Sequence, residues 1–141
     1  MALSYLASLK TNRLNLVVNA IGTASAPTIS NTGTAAGTLV IGTSAMATTL
    51  ATFTLDVTPA TVSGSVLTFT NGGTALSAGN FKTATAGNTG TAAAAQIKNN
   101  AGTVIVDNLT VGTSGTDIII NTTSITSGQT VNWTAGTITH G

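Results

Sequence analysis

Thr103-Val-Ile-Val-Asp-Asn-Leu-Thr-Val-Gly-Thr-Ser-Gly-Thr-Asp117-Ile-Ile-Ile-Asn-Thr-Thr-Ser-Ile-Thr-Ser-Gly-Gln-Thr-Val-Asn-Trp133-Thr-Ala-Gly-Thr-Ile-Thr-His-Gly141 decides the reading of this chain. Short runs of β-branched residues alternate with Gly, Ser and Asn, and two aspartates are the only charges within them. A segment of this kind reads as consecutive antiparallel strands joined by small-residue turns. The same block holds no set of residues able to carry out a reaction.

Upstream, further strands are expected at Thr38–Gly42, Thr49–Val57, Ser65–Thr70 and Thr91–Lys98. Within the tail block they fall at Thr103–Asp107, Asn108–Gly112, Asp117–Thr122 and Thr130–Thr139. Asn71-Gly72-Gly73 and Asn99-Asn100-Ala101-Gly102 are turn signals, because Gly and Asn tolerate the left-handed backbone that tight turns need. The small-residue tract 71–95 reads either as a wandering loop or as weak strands whose small side chains let backbones approach closely. Leu39-Val-Ile-Gly-Thr-Ser44 and Leu109-Thr-Val-Gly-Thr-Ser114 resemble each other only locally, as two similar exits from strand to turn.

Before the strands, Leu3, Leu6, Leu14, Val17 and Ile21 recur at helical spacing. One helix is expected within 11–21, with Thr11 or Asn12 as its cap and Gly22 closing it, and residues 2–9 would then be a separate arm. The resulting division is an N-terminal arm and helix over 1–21, a flexible loop over 22–37 and a β-sandwich domain over 38–141. The fold class is all-β: a jelly-roll-like β-sandwich or small barrel of about 8 short antiparallel strands with one N-terminal helix.

Composition narrows the function classes. At 141 residues the chain is long enough for one domain that buries roughly 68–70% of its unfolded surface. Without cysteine it has neither disulfides nor thiolate chemistry. Only Lys10, Arg13, Lys82, Lys98, Asp56, Asp107 and Asp117 are charged, 5% of residues, against roughly 25% in an ordinary domain. So few charges suit a surface covered in a permanent assembly, or else a solvated threonine-rich β surface. Four scattered basic residues cannot neutralise a run of phosphates, so no nucleic-acid partner is expected. No apolar run approaches the roughly 18 residues of a membrane helix, and no membrane association is expected. The N-terminal positive charges follow the apolar stretch, the reverse of a signal peptide.

The candidate chemistry is thin. His140 is the single histidine and reads as a frayed terminal residue, and three or four convergent ligands for a metal are not available. The aspartates lack the alternating spacing of a calcium loop and read as turn residues bonding their own backbone. Gly112-Thr-Ser-Gly115 is not a nucleophile elbow, and the glycine-rich stretches lack the Gly-Lys ending of a phosphate-binding loop. Asn108, Asn121 and Asn132 open glycosylation triplets that Asn and Thr abundance produces by chance. Trp133, flanked by polar residues, reads as half-buried, with sugar stacking as the sharper alternative. No catalytic residues, cofactor or metal are expected, and the chain is not read as an enzyme.

The layout resembles a family of small structural proteins of tailed bacteriophages. The likeness lies in the helix with Arg13-Leu14 to Ile21, the strand Thr38–Ile41, the strand Leu67–Phe69, and above all the tail block. There it rests on Val111-Gly-Thr-Ser-Gly-Thr-Asp117, Ile120-Asn-Thr-Thr-Ser-Ile125, Ser127-Gly-Gln-Thr-Val131 and Thr137-Ile-Thr-His140. The resemblance implies a virion component made in the host cytoplasm. The leading expectation is a head decoration (cement) protein on the capsid surface, binding the major capsid protein and copies of itself as a homotrimer. The alternative is a tail or fibre component contacting the host surface. Candidate partner contacts are Leu3, Tyr5, Leu6 and Leu9 in the arm, Pro27 and Ile29 in the loop, and Trp133.

Overall fold

A computed structural model describes residues 6–22 and 35–140; the candidate contacts Leu3, Tyr5, Pro27 and Ile29 lie outside the described residues. The single α-helix among the described residues, α1 (Ala7–Ile21), starts earlier than its side chains announce. Leu6 occupies the N-cap position with no side-chain cap, so the polar signal at Thr11 and Asn12 does not mark the start. Thr11 instead lies inside the helix, its hydroxyl donating to the carbonyls of Ala7 (3.1 Å) and Gly64 (2.7 Å). Gly22 ends the helix, its N–H donating to the Val18 carbonyl. Leu14, Val18, Ala20 and Ile21 are buried, and three of them, Leu14, Val18 and Ile21, belong to the same apolar cluster as the strands. The C-terminal half of α1 is therefore part of the core.

The strands are β1 (Thr38–Gly42), β2 (Thr49–Thr54), β3 (Ala60–Ser63), β4 (Val66–Asn71), β5 (Thr74–Ala75) and β6 (Lys82–Thr85). They continue with β7 (Gly90–Thr91), β8 (Ala94–Lys98), β9 (Val104–Gly112), β10 (Ile118–Ile120), β11 (Ser124–Ile125) and β12 (Thr130–Thr139). The main sheet runs β2-β1-β8-β9-β10-β12-β4-β3, with β5 added to β4 and β6 to β12, while β7 and β11 form a separate pair. It is β-rich and curled into a half-barrel rather than flat. Curling brings the buried side chains of distant strands into one apolar cluster: Leu39 and Ile41 of β1, Leu50 and Phe53 of β2, Leu67 and Phe69 of β4, and Val131 and Trp133 of β12.

β12 makes the curl possible. Its first half pairs with β6 (Val131 opposite Ala84) and its second with β4 (Ile138 opposite Leu67), while β10 lies along it. Between Ile119 opposite Ala135 and Ile120 opposite Trp133 the register shifts by one residue, leaving Thr134 as a bulge. Such a bulge bends and twists its strand.

The sheet is mixed, where the sequence reading expected antiparallel pairing throughout. β10 lies parallel to the end of β9, with Ile118 opposite Val111. Parallel neighbours normally need a crossover of a dozen or more residues. Here the short loop after Gly112 doubles back, and Asp117 makes the geometry possible. Its Oδ2 accepts both the N–H and the hydroxyl of Thr110 at 2.9 Å, and its own N–H donates to the Thr110 hydroxyl. The carboxylate satisfies a backbone donor on β9 from within the loop.

Two further boundaries differ from expectation. The two strands read at Thr103–Asp107 and Asn108–Gly112 are one strand, β9. Asn108 adopts a left-handed φ of 57°, and two residues, Asp107 and Asn108, stand against Gln96 between the pairs Ala95–Leu109 and Ile97–Val106. The turn-like Asp-Asn pair is a β-bulge, held by Gln96 Nε2 donating to Asp107 Oδ1 (3.0 Å). The tract 71–95 is strand-bearing: Gly72 (φ 63°) and Gly73 (φ 82°) form the tight turn between β4 and β5, and β6 and β7 follow. The two Gly-Thr-Ser exits lead to different pairings, antiparallel β2 after Gly42 and parallel β10 after Gly112, yet both glycines are closely covered. A side chain at Gly42 would meet Met46 Sδ and the Thr48 carbonyl at 2.9 Å, and one at Gly112 would meet Thr116 Cγ2 at 2.9 Å. Both glycines admit a loop folded back onto its own strand end.

Candidate functional site

Trp133 is fully buried, at 0% exposure. This corrects the half-buried reading, and it removes Trp133 from the surface where a partner or a sugar ring would be met. It stands between Phe53 of β2 and Phe69 of β4, with ring centroids 5.8 and 5.3 Å away. Both pairs are tilted toward the edge-to-face arrangement that aromatic quadrupoles favour. Its Nε1 donates to the Ala135 carbonyl at 2.8 Å, so the polar end of the indole is satisfied inside. Gly136 gives the ring its space: a Cβ there would lie 2.9 Å from Trp133 Cζ2 and 3.0 Å from Phe69 Cδ2. Trp133 is thus the centre of the core, joining strands from both ends of the sheet.

The aspartates and Lys82 serve as braces. Asp56 pairs with Lys82 at 2.8 Å and accepts the Gly72 N–H, Asp117 organises the β9–β10 loop, and Asp107 fixes the bulge. Asp107 makes the expected local bond, accepting the Asn108 N–H, and adds one from Gln96, whereas Asp56 and Asp117 accept from backbone N–H groups distant in sequence. His140 is held rather than frayed: its N–H donates to the Ser65 carbonyl at 2.7 Å, and its Nε2 lies 3.4 Å from Arg13 Nη1 of α1. No group of three metal-ligating side chains and no enclosed pocket occurs among the described residues. Nor is any described helix long and apolar enough to cross a membrane.

What remains is surface. Leu6 is 74% exposed and Leu9 41% exposed, at the end of α1 farthest from its buried half. These are the two candidate contacts that the structure places on the outside. The other exposed large apolar residues, Val57, Phe81 and Val104, lie on separate strands or loops. Sequence reading did not single out Phe81, whose neighbours Asn80 and Lys82 gave it no apolar context. Because α1 is anchored through Leu14, Val18 and Ile21, its exposed start is a fixed apolar projection rather than a loose tail.

Compared with protein-family models, with curated proteins and with solved structures, the chain matches none.

Proposed function

We propose that this chain is a bacteriophage virion structural protein, most directly a capsid decoration protein that binds the outer head lattice and stabilises it. The observation that carries this reading is the exposed start of α1, with Leu6 and Leu9 outermost, on a chain bearing four basic and three acidic residues. A surface this poor in charge is suited to being covered, and a rigid apolar projection gives a shell subunit something to cover. Each burial of a leucine is worth about 1.5–3 kcal/mol. Repetition over a symmetric lattice, with the chain present as a homotrimer, multiplies weak contacts into avidity. Closure of the curled sheet into a jelly-roll-like sandwich or barrel belongs to the same proposal.

The test is cosedimentation of the purified protein with capsids lacking it. Leu6→Ser with Leu9→Ser should leave the circular-dichroism spectrum and melting temperature unchanged, since neither side chain is buried. Capsid affinity should fall tenfold or more, as the loss of about 1.4 kcal/mol or greater requires. Unchanged binding of the double variant would remove the projection from the mechanism. Removing residues 1–21 whole is a poorer test, because it strips Leu14, Val18 and Ile21 from the core.

A tail or fibre component touching the host surface is the other reading. With Trp133 interior, Phe81 is the exposed aromatic through which the described residues would act, at 37% exposure.

A further inference from the structure

The ends of three strands converge on one lysine. Lys82, at the start of β6, places its Nζ 2.8 Å from Asp56 Oδ1, just after β2, and 3.2 Å from Asn71 Oδ1, at the end of β4. The Lys82 side chain is only 12% exposed and that of Asp56 27%. Every partner is fixed in turn. Asn71 Nδ2 donates to the Phe81 carbonyl (3.1 Å) and to Asn80 Oδ1 (3.3 Å), so the carboxamide keeps its oxygen toward the lysine. Asn80 Nδ2 donates to the carbonyls of Asn71, Thr74 and Ala75. Asp56 Oδ2 accepts the Gly72 N–H at 2.8 Å.

An amine held against a carboxamide, with a carboxylate on that same amine, is the complete reagent set for amide exchange. The amide carbon of Asn71 lies no more than about 1.2 Å, one C=O bond, farther from Nζ than the oxygen does. Fixed proximity of this kind replaces a bimolecular encounter. A lysine becomes a nucleophile when a neighbouring base relieves it of a proton.

We propose that Lys82 and Asn71 form an intramolecular isopeptide bond, with Asp56 as the general base. Asp56 Oδ1 takes a proton from Nζ, and the freed amine adds to Asn71 Cγ. The proton on Asp56 passes to Nδ2, the Cγ–Nδ2 bond breaks and ammonia leaves; the regenerated Asp56 carboxylate takes the second Nζ proton and releases it to solvent, where ammonia becomes ammonium. One amide bond forms as one breaks, and no oxidant or reductant enters. The product ties β4 to β6 covalently, on the flank of the Trp133 core. This goes beyond the capsid reading and does not depend on it. Asn71-Gly72 is also a sequence prone to deamidation, in which the Gly72 nitrogen attacks the same carbon; here that N–H is turned to Asp56.

Intact-mass spectrometry of the purified full chain, denatured after prolonged incubation, decides the matter. The expected mass is about 17 Da, one ammonia, below that of the sequence. Proteolysis should yield a linked peptide pair joining residues 71 and 82. Lys82→Arg and Asp56→Asn should each restore their full sequence mass. A wild-type chain at full mass overturns the proposal, as does a gain of about 1 Da at Asn71, the mark of deamidation. A loss of about 18 Da would assign the bond to Asp56 instead and equally overturn it.

Discussion

Trp133→Ala is expected to lower stability by about 3–5 kcal/mol, the range for removing a large aromatic from a core. The value should lie toward the upper end. The indole is 0% exposed, contacts rings from β2 and β4, and is covered by a bare glycine, so neighbouring atoms cannot refill the space without moving three strands. For a domain with total stability of roughly 5–15 kcal/mol, that is a large part of the whole. Urea unfolding should show the midpoint shifted with the slope little changed. A shift below about 1 kcal/mol would mean that the ring is not packed as described. Any loss of host or glycan binding in this variant would report unfolding rather than a missing contact.

Gly37→Ala is expected to be comparably severe for the opposite reason. Gly37 sits where the chain enters β1 beside the end of α1, and a Cβ there would fall on the Lys98 carbonyl oxygen and lie 2.7 Å from that of Ile21. Both obstacles are backbone, one in β8 and one in the helix, so neither can rotate aside. Relief requires moving the helix off the sheet. That also strains the Leu55 N–H to Gly37 carbonyl bond that holds the end of β2. Overpacking of a tight core costs about 1–3 kcal/mol and occasionally more, and this site belongs at the upper limit. Thermal melting should show a fall of roughly 4–8 °C for each kcal/mol lost in a domain of 60–100 residues, and somewhat less here. Unchanged melting would contradict the close approach of α1 to β8.

How far the sequence carried the fold can be seen at particular residues. β1 was read at Thr38–Gly42 and β12 at Thr130–Thr139, because apolar runs there end at clear punctuation. β6 was not read: Lys-Thr-Ala-Thr has no large apolar side chain, and it is a strand because β12 offers it an edge. β3 follows Pro59 with only Val62 as a sizeable apolar residue, and its pairing with β4 supplies what its own propensity does not. The break placed between Asp107 and Asn108 separated two strands that are one: Asn108 is left-handed there, but as part of a bulge rather than a turn. Trp133 was misread through its polar neighbours. On a regular strand the residues flanking a buried one point to the opposite face, as the pairing of Asn132 and Val131 along β6 requires, so a polar neighbour is no sign of exposure.

The surface was less legible than the core. Leu6 and Leu9 were marked by apolar character alone, and the same character marks Leu14, which is buried. Only the position of α1 on the sheet separates the two. The cluster of Asp56, Asn71 and Lys82 left no sequence signal, because the three residues are brought together by strand pairing and not by spacing.

The central claim, that the chain decorates a capsid lattice, is tested most directly by its copy number in purified virions relative to the major shell protein. The account predicts one copy per shell subunit or a simple fraction of it. A few copies per particle, or none, would contradict it.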